Sequence, residues 1–153
     1  MTLENFNEVI DFAVAREEEA VRFYQDLVKL AKFTAQREML NELADMELGH
    51  ARVLETLRGL GPDSVQKAAV KDVPTLKISE YLVEAPPTAQ MTYQDILVTA
   101  MKREEKSYAL YSEMADRFSD SELSKVLLRI AAEEAGHKLR FEKLYDEEIL
   151  REN

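Results

Sequence analysis

The chain has 153 residues, 46% apolar and 33% charged, with four glycines, four prolines and no cysteine. That fits one domain of ordinary size with a helical composition, and it excludes disulfides, thiolate zinc sites and iron–sulfur centres. A net charge of −10 argues against nucleic acid or an anionic membrane as partner, since both need a basic surface.

The amino terminus, Met1 to Asp11, carries acids and lacks the apolar core of a secretory signal. No apolar run approaches the ~20 residues of a membrane span. A cytoplasmic protein is therefore expected. The first helix is expected to begin at the cap-like Asn5-Phe6-Asn7-Glu8 and to run to about Lys32. Its apolar stripe includes Ile10, Ala13, Val14, Tyr24, Leu27 and Ala31. A second helix starts after Thr34 and is expected to stop at Arg58, before Gly59-Leu60-Gly61-Pro62. Residues 59–91, holding all four prolines, read as a linker with one weakly apolar piece at Ile78 to Val83. A third helix is capped by Thr92-Tyr93-Gln94-Asp95 and runs to about Arg117, and a fourth follows Ser121 almost to the chain end.

The two halves repeat at one offset. Glu17 and Glu104 lie 87 residues apart (104 − 17), as do Glu47 and Glu134, His50 and His137, and Tyr24 and Tyr111. Arg16 with Arg103 and Gly49 with Gly136 obey the same spacing. The pattern describes a duplicated helical hairpin, 5–58 and 92–150, in a single domain over 1–153. A linker of this length can run back along helices of ~25 residues, which span ~37 Å. The expected fold is therefore all-α, a ferritin-like four-helix bundle of two hairpins joined by a long crossover.

Ionisable residues interrupt the apolar seams. Leu40, Leu43, Glu47, His50, Leu54 and Leu57 alternate by threes and fours, and Leu127, Ile130, Glu134, His137, Phe141 and Leu144 do the same. Glu17 and Glu104 occupy seam positions of the first and third helices. Four unpaired carboxylates at one level of a core would cost several kcal/mol each unless cations neutralise them. Two divalent ions balance four glutamates, and neutral His50 and His137 complete the shell. Carboxylate oxygen with imidazole nitrogen and no sulfur suits iron or manganese, and zinc or cobalt also fits these donors. Glu18, Glu19, Glu105 and Glu133 sit ~100° or more off the seam and read as solvated charges. Arg16 and Arg103 read as surface residues or partners of these acids, and the methionines as packing.

On Glu17 with Ala20 and Tyr24, Glu47-Leu48-Gly49-His50, Glu104 with Tyr111, and Glu134-Ala135-Gly136-His137, the chain resembles the rubrerythrin branch of the ferritin-like superfamily. The resemblance implies non-haem di-iron chemistry, an oxidoreductase reducing peroxide or dioxygen. It implies two iron ions held by Glu17, Glu47, His50, Glu104, Glu134 and His137, with Glu47 and Glu134 as bridges. Tyr24 and Tyr111 would be hydrogen-bond partners beside the site, and a homodimer is the expected assembly. The chain departs from the family in lacking the four-cysteine rubredoxin centre, so electrons would come from a separate donor. Ser107 stands where rubrerythrins carry an additional glutamate, which makes the ligand set more like that of bacterioferritin. Leu48 replaces bacterioferritin's haem-ligating methionine, so no haem is expected. A ferroxidase and a metal-stabilised interaction module without turnover are the alternative functions.

Overall fold

The computed structural model describes residues 3–65, 92–117 and 122–152. They form four helices and no strand: α1 (Leu3–Leu30), α2 (Thr34–Val65), α3 (Tyr93–Arg117) and α4 (Glu122–Glu152). The all-α class is as expected. Residues 66–91 of the linker, with the Ile78 to Val83 piece, and the Ser121 cap lie outside the described residues.

Two boundaries differ from expectation. The first helix begins at Leu3, so Asn5 lies inside it rather than at its cap. Asparagine is only mildly unfavourable in a helix, and propagation by another turn overrides a local cap signal. The second helix continues through Gly59-Leu60-Gly61-Pro62 to Val65. Glycine lowers helix preference by about 1 kcal/mol and proline by about 3 kcal/mol, the latter by removing the hydrogen bond to the carbonyl four residues back. Neither forbids a helix that is already long.

The chain divides into two compact units, one per hairpin. In the first, α1 gives way to α2 within three residues, too short for anything but antiparallel packing. The Ala31 N–H donates to the Leu27 and Val28 carbonyls at 3.0 and 3.3 Å, closing α1. Arg37 then reaches back, Nη1 donating to the Ala31 carbonyl at 3.0 Å and Nη2 to Thr34 Oγ1 at 3.2 Å. In the second unit, Ser124 sits at the repeat equivalent of Arg37 (37 + 87). Its buried hydroxyl donates to the Ala115 carbonyl in the last turn of α3 at 3.0 Å. Different side chains at one register thus satisfy carbonyls that a helix end leaves without an internal donor. At the far end of the first hairpin, Arg58 of α2 meets Asp11 of α1 at 2.5 Å, an exposed pair that contributes little.

Both hairpins bury a wider face than the seam alone. Ile10, Tyr24, Leu27, Leu40, Leu43 and Leu54 are buried in the first, and Leu97, Tyr111, Met114, Leu127 and Phe141 in the second. Phe23 and Leu110, one position off the seam, are buried as well. Phe23 meets Tyr24 edge-on, with ring centroids 5.7 Å apart.

The start of α3 is a reciprocal capping box. Asp95 N–H donates to Thr92 Oγ1, and Thr92 N–H donates to Asp95 Oδ2, each at 3.1 Å. The backbone hydrogen bond from Thr92, then the bond between the two side chains, holds the Asp95 carboxyl below its ordinary value. A depressed carboxylate adds stability above its unfolded pKa, and that stability is lost as pH falls through its folded pKa. Thr92→Ala removes the hydroxyl that accepts from the Asp95 N–H and is therefore expected to lower stability at neutral pH. Urea unfolding at a series of pH values should show the difference from the unsubstituted protein shrinking below pH ~4.

Candidate metal centre

Each hairpin assembles the same three ionisable side chains. In the first, α1 supplies Glu17 and α2 supplies Glu47 and His50, which share a face because they stand three residues apart. Glu17, Glu47 and His50 are 2%, 1% and 5% exposed. His50 Nδ1 lies 3.6 Å from Glu17 Oε2 and 3.9 Å from Glu47 Oε2. In the second hairpin, Glu104, Glu134 and His137 are 2%, 1% and 2% exposed. His137 Nδ1 lies 3.4 Å from Glu104 Oε2 and 3.6 Å from Glu134 Oε1. The offset of 87 residues seen in the sequence is thus matched by two clusters of the same residue types with similar separations.

These separations are longer than the 2.7–3.2 Å typical of an N–H···O hydrogen bond. Donor atoms that share one ion at ~2.1 Å stand roughly 3 to 4.2 Å apart, depending on the angle between them. Ligand atoms of Glu17, Glu47 and His50 lie within 4.8 Å of one another, and so do those of Glu104, Glu134 and His137. Two carboxylates and one imidazole, each nearly stripped of water, are a donor set that neutralisation by a cation makes affordable. The residues present fit a metal site.

The chain aligns with the rubrerythrin family model over residues 8–145, which takes in both half-sites. The chain belongs to the rubrerythrin family. It is also similar to a solved structure, a hypothetical protein from Pyrococcus furiosus. The two share 27% identity with a TM-score of 0.68, over 92% of this chain and 88% of that one. No curated protein matches the chain.

Tyr24 and Tyr111, two turns beyond Glu17 and Glu104, are each 1% exposed and belong to the cores of their hairpins. Glu18 and Glu105 are exposed, while Glu19 and Glu133 are half-buried. Arg16 and Arg103 are not surface residues: both are buried. They lie one helical flank away from the seam, on the row that continues to Phe23 and Leu27 in α1 and to Leu110 and Met114 in α3. The buried face is broad enough to take in that row. The Arg16 guanidinium lies over the Phe12 ring, 6.0 Å from its centroid, a cation–π placement. The equal spacing of the two arginines was the signal for a shared environment, and their charge obscured it. Ser107, one turn after Glu104, is half-buried.

A buried carboxylate that a cation helps to neutralise makes the effect of removing its charge depend on metal. In the metal-free protein, Glu47→Gln is expected to leave stability unchanged or raise it by roughly 1 kcal/mol or more. In the metal-loaded protein the same substitution should lower it. Thermal unfolding with and without chelator checks this, and an equal effect in both states would count against a cation at Glu47.

Proposed function

We propose that the two half-sites serve one non-haem di-iron centre, and that the protein is an oxidoreductase that reduces peroxide or dioxygen. The observation that carries this reading is the repeated half-site itself. Two copies of a two-glutamate, one-histidine set supply four carboxylates, which balance two divalent ions, with a neutral imidazole for each. Membership of the rubrerythrin family supports iron as the metal.

Bound iron, each of two ions changing by one electron, would supply the two electrons that reduction of a peroxide consumes. The chain's own part is to hold and shield that chemistry. Glu17 and Glu104 would each hold one ion from the first helix of their hairpin. Glu47 with His50, and Glu134 with His137, would hold the ions from the second helix of each hairpin, each imidazole offering Nδ1 as the nitrogen ligand. Imidazole binds only in its neutral form, so acidification competes directly with metal. The surrounding leucines and Phe141 exclude bulk water and so strengthen electrostatic interactions inside the site. Tyr24 and Tyr111 would place phenolic O–H groups beside the centre as proton donors. With no cysteine in the chain, electrons would come from a separate donor.

A ferroxidase is the second reading, favoured by Ser107, where rubrerythrins carry an additional glutamate. It differs in stoichiometry, since iron storage requires many ions per chain in a large hollow assembly. Anaerobic iron loading followed by exposure to oxidant separates the two. The expected result is saturation at two irons per chain, with a ferric absorption band that develops faster with peroxide than with dissolved oxygen. Uptake of many irons per chain would favour the ferroxidase. Loaded protein that is redox-silent would sink both. His50→Ala and His137→Ala are each expected to remove one of the two irons, read by metal analysis.

A further inference from the structure

One turn beyond the first-helix glutamate, the buried face of each hairpin opens to solvent. On α3, Ser107 follows Glu104 by three residues and precedes Tyr111 by four, on one face of the helix. It lies about 60° round from Glu104, on the side of Arg103 and Leu110. Glu104, Arg103, Leu110 and Tyr111 are all buried, yet Ser107 in their midst is half-buried. The same dip occurs on α1. Ala20 is half-buried, while Arg16, Glu17, Phe23 and Tyr24 around it are buried.

Small size alone does not produce this opening. Ala13 and Ala100, one turn before the same glutamates, are also small and are 0% exposed. The helices of a hairpin run antiparallel, so one turn after the glutamate on the first helix is level with one turn before it on the second. That position holds Ala44 on α2 and Ala131 on α4, both buried. A turn further on stand Tyr24 with Leu40, and Tyr111 with Leu127, bulky and at most 1% exposed. Each hairpin therefore sets a level of small side chains directly beside its carboxylate–imidazole cluster. The ligands themselves stay 5% exposed or less, so the opening admits a small molecule without flooding the cluster.

We infer that this level admits a small oxidant to the metal centre, and that the Ser107 hydroxyl makes the hydrogen bond that orients it. Resting on the di-iron reading, this narrows the substrate to hydrogen peroxide rather than a bulky organic hydroperoxide. A side chain three residues from Glu104 stands ~5–6 Å from it, Cβ to Cβ, so a peroxide-sized molecule spans the interval. Helical side chains lean toward the N-terminus, which inclines Ser107 toward Glu104. A serine hydroxyl both donates and accepts, matching a peroxide oxygen that does the same. Ala20 leaves equivalent room in the first hairpin without a polar group, so the orienting group belongs to the second.

Azide, a small linear anion that absorbs in the visible when it binds ferric iron, is the probe. The full chain is loaded anaerobically with iron, oxidised and titrated with azide, and the iron content of every variant is measured. Ser107→Leu and Ala20→Leu fill the level and should each weaken azide by at least about tenfold while two irons stay bound. Ser107→Ala removes only the hydroxyl and should weaken azide roughly threefold to tenfold, the effect of one hydrogen bond. Tyr108→Leu, on the exposed flank of Glu104, should leave azide affinity unchanged. Reduced, loaded protein should be oxidised faster by hydrogen peroxide than by cumene hydroperoxide. Circular dichroism confirms that the leucine variants fold, and Ser107→Ala decides the matter should either fail to load iron. Azide affinity unmoved at Ser107 in protein that holds its two irons would overturn the inference and leave the di-iron reading standing. Equal rates with the two peroxides would do the same. Protein that takes up no iron would overturn both.

Discussion

Carboxylates that have been taken out of water govern the rest of this structure. Glu17, Glu47, Glu104 and Glu134 are each almost wholly buried, and a buried charge without a counter-charge costs several kcal/mol. The fold cannot leave that cost standing. It brings an imidazole nitrogen to within 4 Å of two carboxylate oxygens in each hairpin, spacings that suit a shared ion. Seam leucines above and below keep water out, which raises both the cost of an empty cluster and the gain from a filled one.

Precision of that kind needs rigid hairpins, and the turns supply it. Arg37 and Ser124 occupy equivalent positions and tie the second helix of each hairpin to a carbonyl near the end of the first. A slip of one residue would rotate a helix by ~100° and carry Glu47 or Glu134 away from its partner. Bonds that close the turn therefore bear on the site several turns away. The Glu-x-x-His spacing needs no such help, since two side chains three residues apart face the same way in any α-helix.

The two hairpins agree inside and differ outside. Their half-sites match in residue type, burial and distance, while Glu38 and Glu42, exposed on α2, give way to Lys125 and Arg129 at the equivalent positions of α4. Inside, ligand chemistry and packing density leave few substitutions open. Exposed positions are not held in this way: most surface changes shift stability by under ~0.5 kcal/mol.

Much of this was legible in the sequence because it depends on local periodicity. The helical class, the Thr92–Asp95 cap, the end of α3 at Arg117 and the seam positions of all four glutamates follow from a 3.6-residue repeat and from side chains that interact within one turn. The offset of 87 residues paired the half-sites before any distance was known. Features set by more than one turn were not legible. Gly59 and Pro62 read as a stop, yet α2 passes through them, because a long helix outweighs a local penalty. Arg16 and Arg103 read as either surface residues or partners of the nearby acids, and burial removes the first reading, because the width of a buried face depends on what packs against it. The sequence by itself determined which side chains line one face of each helix, since helix geometry is a property of the chain. Only the tertiary structure decided how wide that face is and how near Glu17 comes to His50, since both depend on a second helix.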